Sequence, residues 1–344
     1  TLTISTDGVE IVGEDRNTSV IQVANSTSIG TLLHINGASN VILENLTLSG
    51  NKANQVASNL LAGGIGGANL VIRNVDFINQ KGTNSGVFSN VSVDRVEISN
   101  CGFFNDDGYA VSGIGNHTNV MNCILGTVGF GINLENVGVI DSCYLDFGTV
   151  SGASGYGYRV NTYCRISNCY AVGCAAETYQ IVGDFNTITN SISVVGSDVA
   201  YTIEGDNNSI TNCISDGDRE GCYIYLRKRN VFSNNVINRV KQDGITLETS
   251  TDNTISGNII DGFLTTDNVE SGIRLFGTST RNAVIGNRIL KHDGTATNDW
   301  QYGLREASSA DDFNTYIGNI ITGVQGTAIG TQGASSIAAN NVTS

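Results

Sequence analysis

The sequence predicts an all-β chain wound as a parallel β-helix, a single-stranded solenoid of about thirteen turns. Three observations predict it. An internal repeat recurs at steps as short as 20 to 22 residues, Asn and Gly alternate in one column of that repeat, and the 344 residues contain no proline. The first turns fall in residues 1–40 and the regular repeats in 41–344, read as one domain.

The repeat is visible in Val41-Ile-Leu-Glu-Asn-Leu-Thr-Leu48, Leu70-Val-Ile-Arg-Asn-Val-Asp-Phe77 and Val96-Glu-Ile-Ser-Asn-Cys-Gly-Phe103. It continues through Arg165-Ile-Ser-Asn-Cys-Tyr170 and Ser209-Ile-Thr-Asn-Cys-Ile214 to Thr315-Tyr-Ile-Gly-Asn-Ile320. One column reads Asn45, Asn74, Asn100, Asn122, Ser142, Asn168, Asn190, Asn212, Asn234, Gly257, Gly286, Gly318. Asn and Gly enter the left-handed backbone region most cheaply, so the column predicts a tight bend between two short strands. The following column runs from Leu46 and Val75 through Cys101, Cys123, Cys143 and Cys169 to Asn235, Asn258, Asn287 and Asn319. Such a drift from apolar to thiol to amide fits a stacked, inward-facing position that ends as an asparagine ladder.

Steps along the bend column lengthen to 29 and 32 residues near its ends, as expected of a coil whose loops grow on one side. A second strand lies between the copies, as in Gly157-Tyr-Arg-Val160, Ala200-Tyr-Thr-Ile203, Gly244-Ile-Thr-Leu247 and Gly272-Ile-Arg-Leu275. Every second residue there is apolar, the mark of a half-buried strand. The missing proline agrees, because each inner strand needs its backbone N–H groups for neighbours on both sides.

Composition excludes several classes. Hydrophobic residues make up 40% and charged residues 15%, too apolar for a disordered chain. The 42 glycines follow no three-residue period, which excludes collagen. A net charge of −14 argues against nucleic acid and against contact with anionic membranes. No run approaches eighteen apolar residues, so membrane insertion as a helix is not expected. The chain opens Thr1-Leu2-Thr3-Ile4 and stops within a repeat. The expectation is a mature or excised piece of a larger fibre, or a subunit that stacks end to end as a homo-oligomer. Seven Asn-x-Ser/Thr sequons begin at Asn17, Asn25, Asn45, Asn90, Asn116, Asn207 and Asn341; they matter only in a secreted protein.

The stretches Asn253-Thr-Ile-Ser-Gly-Asn-Ile-Ile260, Gly272-Ile-Arg-Leu-Phe276 and Asn282-Ala-Val-Ile-Gly-Asn287 resemble the right-handed parallel β-helix repeats of the pectate-lyase-like superfamily. Its members include polysaccharide lyases, polygalacturonases, mannuronan epimerases, phage tailspikes and surface adhesins. The stretch Val9-Glu-Ile-Val-Gly13 looks like an opening turn of such proteins, and the resemblance spans nearly the whole chain. It implies a polysaccharide or glycan as partner and an extracellular, cell-surface or virion-surface location. It also implies that functional side chains project from the outer face of one sheet.

Three places fit that implication. The pair Asp106-Asp107, with His117 nearby, has the two carboxylates that glycoside hydrolysis uses, and equally reads as an Asp-Asp-Gly turn. The epimerase motif Asp-Pro-His-Glu has no counterpart: Tyr109-Ala-Val-Ser-Gly-Ile-Gly115 supplies Ser112, Gly113, Ile114 and Gly115 instead. The outward column of the second strand reads Asn133, Arg159, Gln180, Thr202, Ile224, Thr246, Arg274 and Arg305. There Arg274 and Arg305, beside Glu248, Glu270 and Glu306, make a candidate groove for lyase chemistry. The alternative reading of that groove is a solvated face of weak ion pairs.

Tyr158, Tyr179, Tyr201 and Tyr223 recur every 21 or 22 residues and are expected to stack inward. Arg227-Lys228-Arg229 reads as a solvated turn, with contact to an anionic glycan as the alternative. Stacked cysteines stand too far apart for regular disulfides, so buried free thiols are expected, with one local bridge left open among Cys164, Cys169 and Cys174. The histidines His34, His117 and His292 are scattered, so no zinc-type site is expected. Asp216, Asp218 and Glu220 have the composition of a Ca²⁺ loop and are the one cation candidate. Two functions stand open: a β-helix that binds and cleaves a polysaccharide, or a non-catalytic structural or adhesive rod.

Overall fold

The computed structural model describes residues 1–24, 31–51, 59–63, 67–80, 87–89, 94–147, 155–262, 270–290, 301–324 and 326–344. His292 and the sequons at Asn25 and Asn90 lie outside them. Among the described residues no helix occurs, so none is long and apolar enough to cross a membrane. The chain forms two compact units, Thr1–Ala175 and Ala176–Ser344. Both are built from parallel strands stacked coil on coil, a β-solenoid of about 12 turns in all.

In the first unit the strands Val41–Ser49 and Ala68–Ile78 run side by side, with Val41 opposite Leu70 and Leu48 opposite Phe77. The Phe77 and Phe103 rings stack at 5.0 Å in consecutive coils. The second unit has a cleaner plan, with three short strands per coil. The coil of Val199–Ile203, Ser209–Thr211 and Ile214–Asp216 is typical. Its neighbours repeat each strand directly above and below, so that Ile210 meets Phe232 and Phe232 meets Ile255. Each such buried aliphatic or aromatic residue contributes roughly 1.5–3 kcal/mol by leaving water.

Every member of the predicted bend column has a positive φ, between 51° at Asn190 and 64° at Gly257 and Gly318. The next column is buried throughout, from Leu46 to Asn319. In the second unit its amides are hydrogen-bonded from coil to coil: the Asn258 Oδ1 accepts the Asn235 N–H at 2.9 Å, and the Asn287 Oδ1 accepts the Asn258 N–H at 3.0 Å. The backbone donors buried at this corner thus find acceptors in the next coil. A parallel column of Asn230, Asn253, Asn282 and Asn314, not anticipated from the sequence, does the same at a second corner.

That second corner holds positive-φ residues of unexpected kinds, including Tyr163, Phe185, Arg229, Arg281 and Phe313. A bulky residue there costs about 1–2 kcal/mol of backbone energy. The side chains of Tyr163, Phe185 and Phe313 escape to solvent, so the corner tolerates any of them once the stacked backbone bonds impose it.

All eight cysteines are buried as thiols, so the local bridge among Cys164, Cys169 and Cys174 is not formed. Burial pushes the Cys164 and Cys213 thiols up to about 11. Since thiolate is the reactive form, the native protein should react with a bulky disulfide reagent at fewer than one thiol. The denatured protein should titrate all eight. A native titre of several thiols would contradict the inward placement of the column.

Tyr158, Tyr179 and Tyr201 are buried as expected, and the Tyr179 and Tyr201 rings stack at 5.0 Å. Tyr223 departs from them. Strand Glu220–Tyr225 pairs Tyr201 with Cys222 and Thr202 with Tyr223. This coil is one residue shorter than the tyrosine spacing suggests, and a one-residue slip exchanges the two faces of a strand. Ile224, expected outside, is therefore buried, and Tyr223 stands on the outer face in its place.

Candidate functional site

The outer face of one sheet in the second unit gathers the chemistry. Its strands are Tyr179–Ile181, Val199–Ile203, Glu220–Tyr225, Ile245–Glu248, Ser271–Phe276 and Tyr302–Glu306. Register places Gln180, Thr202, Tyr223, Thr246, Arg274 and Arg305 in a single outward column. A second outward column holds Tyr225, Glu248 and Phe276.

An acidic row precedes these strands, because Glu220 and Asp243 each stand directly before a glycine that opens a strand. A Cβ on Gly244 would come within 2.5 Å of the Gly272 oxygen and of Ile260, so only glycine lets the chain enter this tightly. The Asp243 carboxylate accepts the Ser271 N–H at 2.6 Å and lies 3.3 Å from Arg274 Nη1. Arg274 in turn lies over the Phe276 ring at 4.6 Å, and Arg305 over the Tyr302 ring at 4.6 Å. Both guanidinium groups are thus oriented by aromatic faces. Arg219 Nη2 reaches Asp198 at 2.6 Å and Glu220 at 3.7 Å. The Tyr223 hydroxyl donates to the Glu248 carboxylate.

Electrostatics follow from this crowding. Burial, then repulsion from Asp243, raises Glu220 to about 7 despite the nearby Arg219. Burial likewise raises Asp243, outweighing Arg274 and the Ser271 N–H. Glu177 is raised by burial and by the charges of Asp198 and Glu204. A carboxyl half-protonated near neutral pH can both give and take a proton, which is what acid–base catalysis requires.

The expected residues fall into three groups. Arg274 and Arg305 are neighbours on this face, and Glu248 stands in the adjacent outward column, opposite Phe276 and bonded by the Tyr223 hydroxyl. Glu306 does not: it pairs in register with inward Leu275 and is buried. Its carboxylate accepts from Asn314 Nδ2, the Tyr316 hydroxyl, the Ser336 hydroxyl at 2.6 Å, and the Gln332 and Gly333 N–H groups at 2.8 and 2.9 Å. It pins the next coil rather than lining a groove. Glu306→Gln, which places an amide where two N–H donors point, should lower stability by about 2 kcal/mol in urea unfolding. No change would contradict the pinning role.

Asp106 and Asp107 belong to the first unit and part company there. Strand Gly102–Ile114 turns Asp106 inward, where its Oδ1 accepts the Gln80 N–H at 2.8 Å, and leaves Asp107 exposed. They form neither a carboxylate pair nor a turn of their own. His117 pairs with Asp94 at 3.0 Å instead. Asp216, Asp218 and Glu220 also diverge. Asp216 holds Arg239, Asp218 is buried against Ser193, Ser215 and the Gly196 N–H, and Glu220 lies on the outer face. Arg227-Lys228-Arg229 is an exposed turn, with the Arg229 Nε donating to the Asn207 Oδ1 at 2.7 Å.

Sequence reasoning missed Asp198, Arg219 and Asp243, and placed Glu220 and Tyr223 elsewhere. One signal was present: Glu220-Gly221, Asp243-Gly244, Ser271-Gly272 and Tyr302-Gly303 repeat a side chain before a strand-opening glycine.

Residues 141–328, more than half of the chain, match the family NosD, periplasmic copper-binding protein. The chain belongs to the NosD family. Copper favours imidazole, thiolate and thioether ligands. The described residues do not fit it. Among the described residues no three His, Cys, Asp or Glu side chains converge, and His34 and His117 lie on different coils. All eight thiols are buried and Met121 is the single methionine of the sequence. No curated protein sequence matches the chain.

Solved structures share the NosD chain's fold. The A-module of an Azotobacter vinelandii mannuronan C-5 epimerase is 18% identical with a TM-score of 0.56, covering 100% of this chain and 85% of that one. A mannuronic acid-specific polysaccharide family 6 lyase from human gut microbiota is 12% identical with a TM-score of 0.59, covering 93% and 77%. Tailspike protein 3 of bacteriophage CBA120 is 12% identical with a TM-score of 0.64, and the chain spans 53% of its length. These are right-handed parallel β-helix proteins, and the likeness is one of fold.

Proposed function

We propose that this protein binds a polysaccharide along the outer sheet face of its second unit, outside the cytoplasm. The observation that carries the reading is the row of Glu220, Asp243 and Arg274 on an outward face, with Glu220 raised to about 7. Support comes from the fold, which is shared with a mannuronan epimerase, a polysaccharide lyase and a phage tailspike. Sugars are recognised by charged and amide groups beside aromatic rings. Tyr223, Tyr225, Glu248 and the stacked Arg274 and Arg305 offer charged groups beside aromatic rings here.

A second reading, cleavage of the bound glycan, is favoured by Glu220 itself. A carboxyl protonated in half the molecules near pH 7 can protonate a glycosidic oxygen, while Asp243 holds Arg274 against the chain. The copper binding for which the family is named finds no ligand set among the described residues and is not carried over.

The test is a glycan array with the wild type and Arg274→Ala. Binding to at least one glycan, weakened tenfold or more by Arg274→Ala, supports the reading. Binding unaffected by that variant would move the site elsewhere. Products released from the bound glycan by the wild type and not by Glu220→Gln would establish cleavage.

A further inference from the structure

We infer that the glycan of the second unit's outer face carries no carboxylates: it is built from neutral or amino sugars rather than uronates. The inference rests on the binding site proposed above and names its substrate class. The charges on that face decide it. Of its arginines, Arg219 is engaged by Asp198 and Glu220, and Arg274 by Asp243, whose charge Arg305 also offsets. Among the described residues, Glu204 and Glu248 are met by the neutral donors Gln180 and Tyr223, which leave their negative charge uncompensated. Glu177 adds a carboxyl repelled by Asp198 and Glu204. A uronate laid across this face would bring one carboxylate per sugar against an excess of carboxylates.

A divalent cation could reverse that repulsion by bridging sugar and protein carboxylates. Among the described residues no three acidic side chains converge as such a bridge would need. The face also has a feature that points to a polar ligand. Thr202, in the outward column between Gln180 and Tyr223, is only 3% exposed, and among the described residues its Oγ1 has no hydrogen-bond partner. Any sugar oxygen could partner that hydroxyl, but only a hydroxyl or amine can also donate to the neighbouring carboxylates Glu204 and Glu248, because a carboxylate can only accept.

The experiment is calorimetric titration of the full chain with hexasaccharides of three kinds: N-acetylglucosamine (neutral), glucosamine (amino) and mannuronate (uronate). Each is run in EDTA and in millimolar Ca²⁺, and repeated on an array of the same three classes. The expected result is binding within the neutral or amino classes at least tenfold tighter than any uronate, with or without Ca²⁺. Glu220→Gln with Glu248→Gln should narrow that gap, because two carboxyls are lost without changing side-chain size. Uronate binding that equals or exceeds the others, in either buffer, overturns the inference and leaves the binding site standing. Failure of every class to bind removes the site, and the inference with it.

Discussion

Asn258→Leu is expected to destabilise the second unit by about 4 kcal/mol, although Leu has the same branched shape as Asn. The Asn258 Oδ1 accepts from the Asn235 N–H at 2.9 Å and from Asn235 Nδ2 at 3.1 Å. Its Nδ2 donates to the Phe232 oxygen at 3.0 Å and to the Asn287 Oδ1 at 2.9 Å. Leu strips partners from the Asn235 N–H, from one Asn235 Nδ2 hydrogen and from the Phe232 carbonyl, all in the buried interior. Leaving each such group unmade costs about 1–3 kcal/mol, and the three together outweigh the roughly 2 kcal/mol that burying Leu returns. The control is Asn234→Gly, which copies what Gly257 does one coil on at the same φ range and should change stability by less than about 1 kcal/mol. Denaturant unfolding of both variants separates the roles. A loss below about 1 kcal/mol for Asn258→Leu would mean that the amide column is not a principal tie between coils.

Glu220→Gln should stabilise the protein by about 3 kcal/mol at pH 8 and by almost nothing at pH 4. The folded-state value of Glu220 is raised from 4.5 to about 7. Below 4.5 the carboxyl is protonated in both folded and unfolded chains and carries no penalty. As pH rises from about 4.5 to 7, the unfolded chain releases the proton first, and folding becomes steadily less favourable. A tenfold change in proton affinity is worth about 1.36 kcal/mol, so the penalty above pH 7 reaches about 3 kcal/mol, and the neutral amide abolishes it. The side chain is 14% exposed, so solvent screens it little, and Arg219 keeps its 2.6 Å contact with Asp198. Thermal unfolding of wild type and variant from pH 4 to pH 8 gives the difference directly. Equal effects at both ends would show that Glu220 is not raised.

The bends and the core were legible for one reason. The inward column from Leu46 to Asn319 and the bend column beside it obey rules that each coil states locally and the next restates. The second corner was not legible, because its outward residue is free to be Tyr163, Phe185 or Arg281, and only the stacked backbone bonds hold it at positive φ. Its inward partners Asn230, Asn253 and Asn282 carried the signal in their amides. The site was half legible. Arg274 and Arg305 follow strict alternation from recognisable strands, whereas Tyr223 was misplaced by its likeness to Tyr201. Glu306 shows the reverse error, a charge assumed to face water that instead accepts five hydrogen bonds inside.

The sequence by itself determined that this chain is a parallel β-helix, where its Asn/Gly corner bends, and which residues fill the inward column beside that corner. Those properties are counted within each coil from a recognisable bend, so they do not depend on the length of the connections between coils. Only the tertiary structure decided which side chains share the outer face. Glu220, Asp243 and Arg274 come from three successive coils, joined by connections of unequal length, and a shift of one residue in any of them turns a side chain from one face to the other. The proton affinity of Glu220 is later still in the chain of causes, since it arises from burial and from a neighbouring charge that exist only after the coils have stacked.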